Sequence, residues 1–328
     1  MKKKRVLSGI RATGRLHLGN YLGAIKGMLA LQDDPEYETF YMVADLHAVT
    51  TPYDVEELRK NRREVIIDYL AAGLDPQKSV LFQQAANPHH AELAFYLSSV
   101  VTIAKMQHLP TFKDKVKQHP QHATMALLNY PVLMASDIML YNASEVPVGI
   151  DQEPHLEVTR EIARRLNQDY DTNFPEPKSF KTTGEYVPSL TGEGKMGKSV
   201  EGSFINLTDD LDTIREKLAK APTDTGIGKR EEMAIGVLSL LTFVQLFQGK
   251  EKRNEYENAY QMDGIRYGEL KKDLAEAIYQ ELKPFQEKRR ELESKPKEVD
   301  RIIEEGNKKA TAIAKETVDE VRKKMGLF

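Results

Sequence analysis

Two lysines three residues apart lie in TGEGKMGKSVEG, residues 191–202, a stretch with four glycines and a single apolar residue, Met196, ahead of Val200. Fixed charges at Lys195 and Lys198 on so flexible a loop suit an anion, although a solvated surface loop has the same composition. Upstream, GIRATGRLHLGNYLGAI at 9–25 runs from the end of an apparent strand into an apparent helix. Gly14 and Gly19 let backbone come close to a ligand there, while the open amides and dipole of the helix start favour negative charge. His17 and Asn20 stand at the same junction and can donate hydrogen bonds to phosphate oxygens; a tight turn with an incidental histidine is the plainer reading. A third stretch, LLNYPVLMASDIMLYN at 127–142, places Tyr130, Met134, Asp137 and Tyr141 at i, i+4, i+7 and i+11, one face of a helix. A carboxylate among large apolar neighbours needs a donor. No basic residue stands three or four positions from Asp137, so a ligand is expected to supply that donor, the alternatives being an N-cap or a salt bridge.

The elements that must hold these residues alternate in kind. Short β-rich runs at 5–10, 39–49 and 79–84 are separated by stretches of helical spacing, clearest at 21–32 and 55–73. Strand, helix, strand, helix implies parallel pairing in a doubly wound sheet, an α/β Rossmann-like fold with ligands at the carboxyl ends of the strands. From 89 to 142 the spacing is mostly helical. EVPVG at 145–149 then reads as a strand, and DQEPHLEVTREIARRLN at 151–167 as a helix with Pro154 in its first turn. After a loop-rich passage at 169–202 the chain is almost purely helical: Leu274, Ile278 and Leu282 recur at four-residue steps, as do Ala310, Ala314 and Val318, with Val321 and Met325 following. The expected division is a catalytic domain over 1–206, with a helical insertion at about 89–142, and a helical domain over 207–328.

With 328 residues the chain can bury a large core and carry two domains. Its 40% hydrophobic and 30% charged residues describe an ordinary soluble protein, and a net charge of −3 gives no global attraction to nucleic acid or anionic membrane. The absence of cysteine excludes disulfides, thiolate catalysis and cysteine-ligated clusters. The basic start MKKKR leads into no apolar h-region, and no run approaches 18 apolar residues. A cytoplasmic location and no membrane partner are the expectation.

HLGN after a strand–turn–helix and KMGKS far downstream resemble the two signatures of the class I aminoacyl-tRNA synthetases, which usually read HIGH and KMSKS. LSGIRATG, VADLHAVT (43–50), LLNYPVLMASDIMLYN and VPVGIDQEPHLEVTREIA (146–163) narrow this to a close resemblance to the bacterial tryptophanyl-tRNA synthetases over about residues 5–205. That resemblance implies ATP-dependent attachment of L-tryptophan to tRNA(Trp) through an adenylate, with Mg²⁺ on the phosphates and no metal held by the protein. It assigns catalysis to His17, Lys195, Lys198, Ser199 and Lys113, the last near the leaving pyrophosphate. ATP would meet Arg11, Ala12, Thr13, Gly19, Asn20, the ribose-holding segment Gly149, Ile150 and Asp151, the backbone of Val187, and Lys195, Met196, Gly197, Lys198 and Ser199. Tryptophan would meet Asp137, Tyr130, Met134, Gln152, His47, and a flat wall of Val146 and Val148. The resemblance also implies a homodimer and a helical C-terminal part that reads tRNA, including its anticodon.

Three departures from the family pattern stand out: Gly197 replaces the usual serine of KMSKS, Arg11 stands where many members carry glutamine, and Ile150 where many carry glutamate. The residues alone do not separate tryptophan from tyrosine, because a phenol also donates a hydrogen bond to Asp137. A tyrosyl-specific synthetase and a non-charging RNA-binding paralogue are the competing readings. The segment 283–328, with 13 Lys/Arg against 10 Asp/Glu, is too mixed in charge to name base contacts.

Overall fold

A computed structural model describes residues 3–12, 14–149, 152–180, 186–197 and 200–328. Strands β1 (Lys4–Arg11), β2 (Tyr37–Ala44), β3 (Val80–Gln83), β4 (Glu145–Val146) and β5 (Lys178–Ser179) form one sheet in the order β3-β2-β1-β4-β5. Every pairing is parallel, from Lys4↔Tyr37 to Arg11↔Ala44 between β1 and β2, and Val6↔Glu145 between β1 and β4. The chain therefore winds outward from β1 to β3, then crosses back to β4 and β5. The switch in winding falls between β1 and β4, where the carboxyl ends of the two strands leave a crevice for a ligand.

Alternation along the strands divides the core into two layers. Leu7, Phe40, Met42, Ala44, Phe82 and Val146 pack under the His89–Leu97, Tyr130–Leu140, Glu153–Tyr170 and Pro296–Lys324 helices. Tyr41, Val43 and Leu81 face the other way, toward the helical segment 18–33 and the Val55–Ala71 helix, in a cluster that continues through the Ile235–Gln248 and Tyr267–Glu293 helices. Both layers are buried, as a parallel sheet requires.

The doubly wound parallel sheet agrees with the expectation, while several boundaries differ. β2 stops at Ala44 rather than running to residue 49, because Asp45–Ala48 turns helical. Asp45 is buried and accepts hydrogen bonds from the Ala85 amide (2.7 Å) and Arg62 Nε (2.6 Å), which draw the chain out of the sheet. EVPVG is paired at Glu145–Val146 alone, and β5 lies inside the passage read as loops. Two-residue strands are too short to leave a periodic signal. The helix expected at 151–167 spans Glu153–Tyr170, with Pro154 in its first turn.

The apolar stripes of the C-terminal half go to different layers. Leu274, Ile278 and Leu282 bury beside the Val55–Ala71 helix, whereas Ala310, Ala314, Val318 and Val321 return to the opposite face of the sheet. The last helix runs along edge strand β3, where Asn307 Oδ1 accepts the Gln83 amide (2.8 Å) and Gly306 lies so close to Leu81 that a methyl group would overlap its carbonyl oxygen. An edge that would otherwise expose unpaired backbone is thereby covered.

Candidate active site

At the switch point a cavity of about 300 Å³ opens beyond the carboxyl ends of β1 and β4. Leu7, Ser8 and Gly9 of β1 and Met42 and Ala44 of β2 form one side; Val146, Pro147, Val148 and Gly149 form another. The Tyr130–Leu140 helix supplies Tyr130, Met134, Asp137 and Ile138, and His47, Arg11 and Gln152 complete the lining. All seven residues expected around the amino acid thus meet in one cavity, with Arg11 and Gly149 from the nucleotide set. Tyr141 does not line it. The helix ends at Leu140, and Tyr141 turns into the core against Phe40 and Phe82.

Asp137 does not wait for a ligand to supply its first donor, as the sequence suggested. Its Oδ2 accepts from His47 Nε2 (2.7 Å), and its Oδ1 from His90 Nδ1 (2.7 Å) and Gln84 Nε2 (2.7 Å). These donors lie 90, 47 and 53 residues away, which is why a search over neighbouring positions missed them. Tyr141 OH lies 2.8 Å from His90 Nε2 and accepts from Asn87 Nδ2 (3.3 Å), which fixes the His90 ring with Nδ1 toward the carboxylate. Gln84 is fixed in turn, its Oε1 taking the amides of Leu46 (3.1 Å) and His47 (3.4 Å). Burial alone would raise the Asp137 pKa, but the charge and hydrogen bond of His47 and those of His90 outweigh it and hold the carboxyl below its ordinary range. A carboxylate offers about four acceptor positions; three are filled, two of them on Oδ1.

His47 is itself held by its neighbours. Its carbonyl accepts Arg11 Nη2 (3.0 Å), which also reaches Thr51 Oγ1 (3.2 Å), and its ring meets Tyr130 edge-on at 4.6 Å. Two buried nitrogens in this corner, His47 Nδ1 and Arg11 Nε, have no hydrogen-bond partner among the described residues, as polar groups set for a ligand would. Gln152 Oε1 meets His155 Nδ1 at 3.0 Å, anchoring that amide at the head of the Glu153–Tyr170 helix.

The two distant motifs also meet. Gly192 and Gly194 take positive φ (90° and 73°), the turn of a hairpin in which Ser189 N–H bonds Gly194 O (2.9 Å) and Met196 N–H bonds Val187 O (2.9 Å). The chain then returns through Ile205 and Leu207, which bond Leu18 N–H (2.9 Å) and Leu16 O (3.0 Å). Met196, buried, is thereby set against the HLGN turn. A Cβ on Gly19 would lie 2.9 Å from His17 Cε1 and 3.1 Å from Met196 Cβ. His17 is buried and its ring lies 5.9 Å from that of Phe204. Asn20 Oδ1 accepts the His17 amide at 3.3 Å. Lys195 is exposed at the hairpin and Gly197 follows Met196, its carbonyl bonded by Ser203 Oγ. Ala12 is buried behind the turn. Lys113 is exposed on the Pro110–Gln118 helix and does not line the cavity. Thr13, Ile150, Asp151, Lys198 and Ser199 lie outside the described residues.

The profile of the class I tRNA synthetases (W and Y) matches residues 1–283. The chain belongs to this family. Among curated proteins it is 43% identical to a tryptophan–tRNA ligase of Caldanaerobacter subterraneus over 99% of each chain, and 41% identical to one of Helicobacter pylori over the whole of both. Among solved structures, tryptophanyl-tRNA synthetase from Campylobacter jejuni complexed with ADP and tryptophan superposes with a TM-score of 0.88 at 32% identity, covering 98% of this chain and 99% of that one. These members share the length as well as the fold of the present chain.

Gln84, His90 and Asn87 escaped the sequence reading. Gln84 follows directly on β3, and His90 opens the next helix; polar residues at the carboxyl end of a parallel strand were the available signal. Because the Asp137 pKa is depressed on folding, its stabilising contribution is present above the unfolded value of about 3.9 and is lost as pH falls through the folded one. Asp137→Asn is expected to cost about 1–3 kcal/mol near neutral pH. Thermal melts should show the gap to the parent narrowing below about pH 4; a gap independent of pH contradicts the account.

Proposed function

We propose that the chain attaches L-tryptophan to tRNA(Trp) in two steps. The tryptophan carboxylate attacks the α-phosphorus of ATP and pyrophosphate leaves; the 3′-terminal ribose hydroxyl of tRNA then attacks the carbonyl of the mixed anhydride and AMP leaves. The observation that carries this reading is the Asp137 cavity opening from the same strand, β1, that runs into the HLGN turn against which Met196 is packed. No covalent enzyme intermediate is needed. Positioning and stabilisation of phosphate charge supply the rate.

Within the cavity, Met134, Val146 and Val148 offer apolar surface to an indole, and Asp137 Oδ2 keeps an acceptor position for the ring N–H. Phenylalanine would leave that position empty, a loss that reaches roughly 10⁴–10⁵ in discrimination where a site is built around a donor. Tyr130, Gln152 and His47 Nδ1 would meet the ammonium and carboxylate end, beside the Arg11 guanidinium. On the nucleotide side, His17, Gly19 and Asn20 would hold phosphates, Gly149 through Asp151 the ribose, and Val187 the adenine. Lys195 and Lys198, with Met196, Gly197 and Ser199, would tighten on pyrophosphate as it departs, and Lys113 would approach from the helical insertion.

Among the described residues no group of three or more His, Cys, Asp or Glu is placed to ligate a metal; in this reading Mg²⁺ enters with the nucleotide phosphates. The helical part beyond residue 207 would receive tRNA and its anticodon. Among the described residues no helix is long and apolar enough to cross a membrane, and we assign the chain to the cytoplasm. A homodimer fits the apolar groove lined by Phe95 (76% exposed), Ile103 (62%) and Met125 (71%). Light scattering should return twice the 37.3 kDa chain mass; a monomer at micromolar concentration contradicts the dimer.

ATP–pyrophosphate exchange with each of the twenty amino acids tests the activity. Tryptophan alone is expected to support exchange, and equal exchange with tyrosine would contradict the assignment. Lys195→Ala should lower kcat by about 100-fold while leaving the KM for tryptophan within about twofold, because the contact strengthens as charge develops in the transition state. An unchanged kcat removes the loop from the mechanism.

A further inference from the structure

Behind the HLGN turn lies a buried ion cluster that neither motif explains. Asp68, on the Val55–Ala71 helix, accepts the amide of Leu16 on Oδ2 at 3.3 Å, and Leu16 immediately precedes His17. Its other oxygen is bonded by Nη1 of Arg289, from the Tyr267–Glu293 helix. Nη2 of the same guanidinium pairs with Glu64 and, at 3.1 Å, with Glu293. The side chains of Arg289 and Asp68 are 5% and 1% exposed.

Two facts argue that this pair does more than hold helices together. Burying two charges carries a desolvation cost that their attraction often fails to exceed, so an apolar pair would secure the same contact at least as well. A carboxylate gripped at one oxygen by a planar guanidinium is, however, fixed in direction, and here the other oxygen is aimed at the turn's backbone. The turn is also restrained from the side, by Ile205 O on Leu18 N–H and Leu207 N–H on Leu16 O, and in front by Met196 at Gly19. Asp68 supplies the third restraint and ties it to a helix that starts 250 residues further along the chain.

We propose that Asp68 and Arg289 are positioning residues for the adenylation step: through the Leu16 amide they set the HLGN turn according to where the Tyr267–Glu293 helix sits. This rests on the reading that the turn holds ATP phosphates. The helical half of the chain then influences amino-acid activation without touching ATP or tryptophan.

The test compares ATP–pyrophosphate exchange in the full chain for Asp68→Asn/Arg289→Met, Arg289→Lys and His17→Ala. The asparagine keeps an acceptor for Leu16, so what the double variant loses is the arginine's grip. It is expected to lower kcat about tenfold with the KM for tryptophan within twofold, and Arg289→Lys, which keeps the charge, to stay within threefold of the parent. Wild-type kcat in the double variant, alongside loss of exchange in His17→Ala, overturns the positioning role and leaves the function of the turn intact. Undiminished exchange in His17→Ala removes the reading on which both depend. Equal losses in the lysine and double variants, or a KM that rises as much as kcat falls, reduce the pair to a structural contact. Should the double variant fail to fold, Asp68→Asn alone carries the comparison with the same expected split.

Discussion

Between His17 and Met196 there is room for a glycine hydrogen and nothing larger. A methyl group on Gly19 would approach both within about 3 Å, closer than carbon atoms normally rest. That contact joins a turn formed in the first 20 residues to a hairpin nearly 180 residues later, and the relative placement of the two motifs follows from it. The hairpin is kept in place by its pairing through residues 205–207 and by Gly192, which lies against Gly236 and Pro222 of the C-terminal half. The two motifs are therefore brought together from parts that do not share a secondary-structure element. Small residues where three segments meet are what let them assemble.

A different solution governs the cavity at the switch point. Asp137 is buried as a charge, and the protein stabilises it with two imidazoles and an amide before any ligand arrives. The carboxylate is thus held in place rather than left to find its orientation on binding, which lowers the ordering cost of recognition. His90 is locked by Tyr141, and Gln84 by the backbone at Leu46 and His47, so the acceptor facing the cavity is set by residues that do not line it.

Much of this was legible in the residues. The alternation of β-rich and helical spacing gave the doubly wound sheet, and the face shared by Tyr130, Met134 and Asp137 gave one wall of the cavity, because both depend on local periods of two and 3.6 residues. The misjudged features were non-local. Tyr141 fits the same helical face but falls after the helix ends at Leu140, and the donors to Asp137 come from the helical turn after β2, the residue that follows β3 and the helix beyond it. β5 is two residues long, and the return of the last helix to edge strand β3 depends on Gly306, a single residue in an otherwise ordinary amphipathic stripe. Pairings across tens of residues leave no trace in a window of ten.

The chain contains no tryptophan of its own, so added L-tryptophan supplies the only indole, and the change in its emission on leaving water, read against the same concentration of free tryptophan, reports occupancy of the cavity. Gly19→Ala is the most direct probe of the contact between the two motifs when that titration is paired with ATP–pyrophosphate exchange. The account predicts tryptophan affinity within about twofold of the parent and exchange slowed about 100-fold, the scale expected when preorganised charge stabilisation is displaced. Exchange at the parent rate would show that the turn and the hairpin need not touch for adenylate to form.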